Sequence, residues 1–193
     1  MQITLRMKAL IAVLFLSLAA HAGAVTIAGK TLADKAEVGG QPLLLNGAGM
    51  RSIFFFRVYI GALYLRQPLT APEAVLADTG PKRIELYIMR HVGADEFMDA
   101  FNKAITNNQT PQELQAISAR LAQFGRVFRA VGAVDEDTVI LLDYLPQPGV
   151  TVLTINGRER MRIPGADFYA ALLKIWLGSN PAQESLKKAM LGQ

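Results

Sequence analysis

Two arginines, Arg51 and Arg57, stand inside the most apolar stretch of the sequence, Met50 to Leu65, among Ile53, Phe54, Phe55, Phe56, Val58, Tyr59, Ile60 and Tyr64. A guanidinium in such surroundings must find an anion, because burying an unpaired charge is strongly unfavourable. One reading pairs it with a carboxylate of the chain, with Asp34, Glu37 and Asp143 as candidates, in a buried ion pair. The other leaves its planar fork of donors for the carboxylate or enolate of a small ligand. In a straight strand Arg51, Ile53, Phe55, Arg57 and Tyr59 would share one face. A straight strand of this length would run on the order of 50 Å, at about 3.3 Å per residue. A turn, bend or bulge is therefore expected inside it.

Other chemistry is thinly represented. The sequence has no cysteine, which excludes disulfides, thiolate catalysis and cysteine metal sites. His91 is the single histidine after residue 21, so no histidine metal set or catalytic triad can form; it reads as a surface or cap residue at a strand end. Asp95, Glu96, Asp99 and Glu113 fall near helix starts, where the helix dipole favours acids. Asp135-Glu136-Asp137 is a charge run without the wider, regular oxygen spacing of a calcium loop. Asn46-Gly47-Ala48-Gly49 reads as a tight turn with no helix after it, a poor phosphate loop. No metal and no cofactor are expected.

The elements that must position these residues begin as strands. Val25–Ile27, Thr31–Val38 and Pro42–Leu45 are short β-like runs between glycine-containing turns, and Lys82–Arg90 alternates with Ile84, Leu86 and Ile88 on one face. The middle is helical. Over 94–107, Phe97, Phe101 and Ile105 form one apolar stripe. Thr110-Pro111-Gln112-Glu113 then offers a cap, a first-turn proline and a capping-box glutamate, followed by Leu114, Ile117, Leu121 and Phe124 at helical spacing. Gly125 is expected to weaken or end that helix. Strands return over 138–145, 150–155 and 158–163, the last two joined by Asn156-Gly157, a strong hairpin signal. Helices over 167–177 and 182–191 close the chain, the second capped by Asn180-Pro181. Strands and helices segregated in this way indicate an α+β fold, a mainly antiparallel sheet with helices packed on one side.

Residues 1–24 read as a cleavable secretory signal. Arg6 and Lys8 supply a basic start, Ala9 to Leu18 an apolar run too short for a bilayer, and Ala20-His21-Ala22 and Ala22-Gly23-Ala24 two small-residue cleavage sites. Residues 25–193 then form one domain, and the expected location is periplasmic or secreted, with no stable membrane span after cleavage. Loss of Arg6 and Lys8 lowers the formal net charge from +4 to about +2. No basic stretch is dense enough for nucleic acid.

Two segments carry a resemblance. Leu45-Asn46-Gly47-Ala48-Gly49-Met50-Arg51, then Arg57-Val58-Tyr59-Ile60-Gly61-Ala62-Leu63-Tyr64-Leu65, resemble the Gly-Ala-Gly-x-Arg and apolar-Tyr-Leu motifs of the chalcone isomerase family. Leu173-Lys174-Ile175-Trp176-Leu177-Gly178-Ser179-Asn180-Pro181 resembles its bacterial branch. The resemblance implies an open-faced β-sandwich, a large antiparallel sheet covered on one side by helices. It places Arg51 on the family's catalytic arginine. The four other catalytic positions, a threonine, a tyrosine, an asparagine and a second hydroxyl residue, fall on Tyr59, Phe97, Ala104 and Ile175. Three of these have lost the polar group that a ring-closing site needs. Other members of the wider family bind fatty acids, with the arginine on the carboxylate. The resemblance thus implies a non-catalytic binder of a fatty acid or similar apolar carboxylate, contacted by Arg51, Tyr59, Phe97, Phe101 and Ile175. An altered isomerase or intramolecular lyase and an envelope structural or partner protein are the alternatives.

Overall fold

The computed structural model describes residues 24–193. The leader expected over residues 1–24 lies outside them except for Ala24. The strands are β1 (Val25–Ile27), β2 (Lys30–Leu32), β3 (Lys35–Val38), β4 (Gln41–Ile53), β5 (Phe56–Leu65), β6 (Lys82–Ile88), β7 (Val92–Gly93), β8 (Ala133–Val134), β9 (Val139–Leu145), β10 (Val150–Ile155) and β11 (Arg158–Pro164). The helices are α1 (Pro72–Ala77), α2 (Ala94–Thr106), α3 (Pro111–Val131), α4 (Ala166–Leu177) and α5 (Glu184–Met190). Among the described residues no helix is long and apolar enough to cross a membrane.

Seven strands form one antiparallel sheet in the order β11-β10-β9-β6-β5-β4-β3. Strand alternation sends successive side chains to opposite faces, and the two faces have separate cores. On one face Leu63, Ile84, Leu86 and Ile140 belong to one core with Val75, Phe101, Phe124, Phe168, Leu172 and Leu186, so all five helices lie on this side. On the other, Ile60, Ala62 and Tyr64 meet Leu32, Val38 and Leu43 beneath the small β1–β2 hairpin. The Tyr64 hydroxyl is satisfied by the Ala33 carbonyl at 3.0 Å. The expected α+β architecture, with helices on one side of an antiparallel sheet, is present.

Several local expectations are corrected. Residues 46–49 are not a turn: β4 runs straight through them, with a register irregularity between Leu45 and Gly47. The glycines are there because α5 lies against the strand. A methyl group at Gly49 would come within 2.7 Å of the Ala189 Cβ, and one at Gly47 would collide with the Ala189 carbonyl oxygen. The chain reverses later, between Ile53 and Phe56, at Phe54 and Phe55. Thr31–Val38 is split between β2 and β3. Gly125 does not end α3; it is a buried crossing point where the Met98 methyl of α2 would lie 3.1 Å from an added Cβ, and the helix continues to Val131. Asn180 does not cap α5, which starts after Gln183. Its amides instead bond Asn108 Oδ1 and the Asn107 carbonyl, both at 2.9 Å, and so fasten the end of α2. Helix α1 was not apparent from sequence.

The capping box at Thr110 is complete, with the Glu113 amide donating to Thr110 Oγ1 at 3.3 Å and the Thr110 amide to Glu113 Oε2 at 2.7 Å. Lys174 of α4 also donates to Glu113, at 2.8 Å, and this contact, with the bonds from Thr110, draws the Glu113 carboxyl down to about 2. Thr110→Ala is therefore expected to lower stability by about 1 kcal/mol, the usual loss for a cap. Urea unfolding measures it, and an unchanged midpoint would show that α3 needs no cap.

A cavity between the sheet and the helices

The reversal at Phe54 and Phe55 places Arg51 and Tyr59 directly opposite each other on β4 and β5. Cross-strand partners present their side chains to the same face. The register then passes from Arg51 opposite Tyr59 to Ser52 opposite Arg57, which leaves Val58 as an extra residue. A bulge of this kind re-aims side chains; here both Val58 and Tyr59 line the space between sheet and helices. Helix α2 faces them with Phe97, Ala100, Phe101 and Ala104, the i, i+3, i+4 and i+7 positions of one stripe. Behind it Phe97 stacks on Phe128 and Phe101 on Phe124, with centroids 4.2 and 4.7 Å apart. Helix α4 supplies Ile175 and Trp176.

These residues enclose a partly open cavity of about 470 Å³. That lies within the roughly 300–1,000 Å³ typical of small-molecule sites. Its wall is chiefly apolar. The polar groups are few: Arg51, Tyr59 and Trp176 within, and Arg90, Glu96, Lys103, Asn107 and Asn180 completing the lining.

The Arg51 guanidinium carbon lies 5.5 Å from the centroid of the Tyr59 ring, a cation–π contact. Arg51 makes no ion pair among the described residues. One of its three candidate partners, Asp143, is taken in a bidentate pair by Arg83, with both N–O distances 2.6 Å, on the neighbouring strands β6 and β9. The buried Trp176 indole N–H donates to the Tyr59 hydroxyl at 2.9 Å. Tyr59 therefore accepts from Trp176 and keeps its own O–H to donate. Burial pushes the Tyr59 phenol above its ordinary value, against the pull of Arg51 and of the Trp176 bond, so the hydroxyl stays protonated at neutral pH.

All five residues put forward from the sequence, Arg51, Tyr59, Phe97, Phe101 and Ile175, line this one cavity. Ala104 is there too. Arg57 is not: it is exposed beyond the bulge. His91 is exposed and bonded to Asp135 at 2.6 Å. Sequence reasoning missed Trp176 and Arg90 as parts of the site. A buried tryptophan needs an acceptor for its N–H, and that need was the available signal for Trp176. Arg90 is bonded to Glu96 and, at 3.1 Å, to the His91 carbonyl. Among the described residues no group of histidine and acidic side chains could hold a metal ion.

The chain matches the chalcone isomerase-like family over residues 24–192. It belongs to that family. No curated protein sequence matches it. Among solved structures it is similar to a fatty-acid binding protein of Arabidopsis thaliana, with a TM-score of 0.65 at 14% identity, covering 88% of this chain and 96% of that one. At such identity the likeness shows the fold. Within this chalcone isomerase-like chain, then, the Gly-Ala-Gly segment is where α5 docks, and Arg51, two residues beyond it, is carried into the cavity by the same strand.

Proposed function

We propose that this protein binds a fatty acid or a similar apolar carboxylate in the cavity and does not transform it. The observation that carries the reading is Arg51, a half-buried guanidinium without a carboxylate partner among the described residues, at the wall of an apolar cavity. A ligand carboxylate would take its forked donors, and the Tyr59 O–H would add a second, neutral one. The hydrocarbon tail would lie along Phe97, Phe101 and Ile175. The fatty-acid binding protein of like fold supports the same ligand class. Three side chains count against ring closure. Phe97, Ala104 and Ile175 line the cavity with hydrocarbon where the isomerase mechanism needs hydrogen-bonding groups. Export to the periplasm or the medium, proposed from the leader, suits a carrier of such molecules.

Fluorescence titration with cis-parinaric acid, together with native mass spectrometry of protein purified from cells, tests this. The wild type is expected to bind the probe in one-to-one ratio. Arg51→Met keeps an apolar stem and should weaken binding roughly 10- to 100-fold, because a hydrogen bond to a charged group contributes about 1.5–3 kcal/mol. A wild type that takes up no probe, carries no ligand and matches the variant would overturn the reading.

A further inference from the structure

The turn between β4 and β5 is made of phenylalanine. Phe54 is 90% exposed, Phe55 98% and Phe56 68%. Phe54 and Phe55 cover almost nothing in the domain, and Phe56 is still mostly exposed. Nor does the turn itself call for them. Phe54 has φ of +53°, in the left-handed region that bulky residues avoid. The other two tight reversals of the same sheet use the residues such geometry favours, Gly39-Gly40 and Asn156-Gly157. Here Phe54 alone of the two central residues has positive φ, and both positions carry exposed aromatics instead of glycine or asparagine. Contiguous exposed apolar side chains mark an interaction surface.

The surroundings select the partner. Arg57 is exposed directly beside the three rings and has no ion pair among the described residues. Ile53, the last residue of β4, belongs both to the exposed tip and to the cavity wall that holds Arg51. The tip is thus continuous with the cavity lining, and its free charge is positive.

We infer that the Phe54–Phe56 hairpin tip docks on the surface of an anionic lipid bilayer, inserting its rings among the acyl chains while Arg57 meets a headgroup phosphate. Aromatic side chains with adjacent cations suit the membrane interface, where the rings lose water and the guanidinium keeps a polar partner. This rests on reading the cavity as a site for an apolar carboxylate, since such a ligand resides in membranes and would pass from the bilayer along Ile53 without crossing water.

Vesicle flotation tests it, with liposomes of phosphatidylglycerol and phosphatidylethanolamine and with neutral phosphatidylcholine liposomes as comparison. The wild type is expected to float with the anionic vesicles and less with the neutral ones. The triple variant Phe54→Ser, Phe55→Ser, Phe56→Ser should lose at least roughly tenfold in partitioning, since burial of a single phenyl ring accounts for about that factor. Phe55→Ser alone, at the most exposed position, should lose part of it. Parinaric acid binding without vesicles is read in parallel and should be unchanged in both variants. A wild type that stays in solution, or a triple variant that floats equally well, would overturn the proposal. So would self-association abolished by the triple variant without vesicle binding, which would make the tip a contact between copies of the chain. Phenylalanine-dependent flotation without any probe binding would instead sustain the docking surface and remove the fatty-acid reading.

Discussion

Ala104→Trp is expected to abolish parinaric acid binding while leaving the domain folded. Ala104 is the last position of the α2 stripe that faces the cavity, two turns after Phe97 and one after Phe101. It is half-buried, and the space in front of it is empty. An indole there is expected to extend into the cavity rather than into a filled core, so the overpacking that usually accompanies a small-to-large change should be limited. The helix itself loses only a few tenths of a kcal/mol in propensity. Tail room, however, is lost within a cavity of about 470 Å³. The substitution thus removes the tail site as Arg51→Met removes the head site, by a different route and with a larger effect. Circular dichroism melting and the same fluorescence titration read the two outcomes. Wild-type affinity in a folded Ala104→Trp variant would place the probe elsewhere on the protein.

How far the sequence reaches can be judged from particular residues. Periodicity found the Phe97–Phe101–Ile105 stripe, the Ile84–Leu86–Ile88 face and the capped start of α3, because each is a local pattern set by one element's geometry. The family resemblance found the cavity wall. Glycine misled. At residues 46–49 it signalled a turn, although the true cause is the close approach of α5, which lies far away in sequence. The real reversal at Phe54 and Phe55 has no turn-forming residue to announce it. The Trp176–Tyr59 bond joins positions 117 residues apart, and no local pattern reaches so far. Its existence depends on the register of β4 against β5 and on the bulge at Val58, which only the folded sheet defines.

The same misread glycines support the second large effect. Gly47→Ala should destabilise the domain by several kcal/mol, although its backbone is extended and alanine there would otherwise stiffen the unfolded chain to advantage. The added methyl would collide with the Ala189 carbonyl oxygen and lie 2.9 Å from the Gly192 amide nitrogen. Both are backbone atoms, so no side-chain rotation relieves the clash, and α5 must move away. With it go Leu186, Met190 and Leu191, each almost fully buried. Full burial of such a side chain contributes about 1.5–3 kcal/mol, against a total stability of about 5–15 kcal/mol for a domain. The bond from Asn46 Nδ2 to the Met190 carbonyl, at 2.8 Å, is lost as well. Binding should fall too, because Pro181 and Ala182 of the cavity wall lead into α5, and Gln183 is held to β4 by the Ser52 amide at 2.9 Å. The neighbouring glycines grade the argument. At Gly49 the new methyl meets the Ala189 Cβ at 2.7 Å, and at Gly61 only side-chain atoms at ordinary contact distance, the Leu186 methyls at 3.4 and 3.5 Å and the Tyr59 ring edge at 3.5 Å. Urea midpoints should therefore fall most for Gly47→Ala, less for Gly49→Ala and least for Gly61→Ala, with hydrogen exchange over residues 184–190 accelerating in the same order. Equal losses at Gly47 and Gly61 would mean that the approach of α5 is not what requires glycine in this part of the sheet.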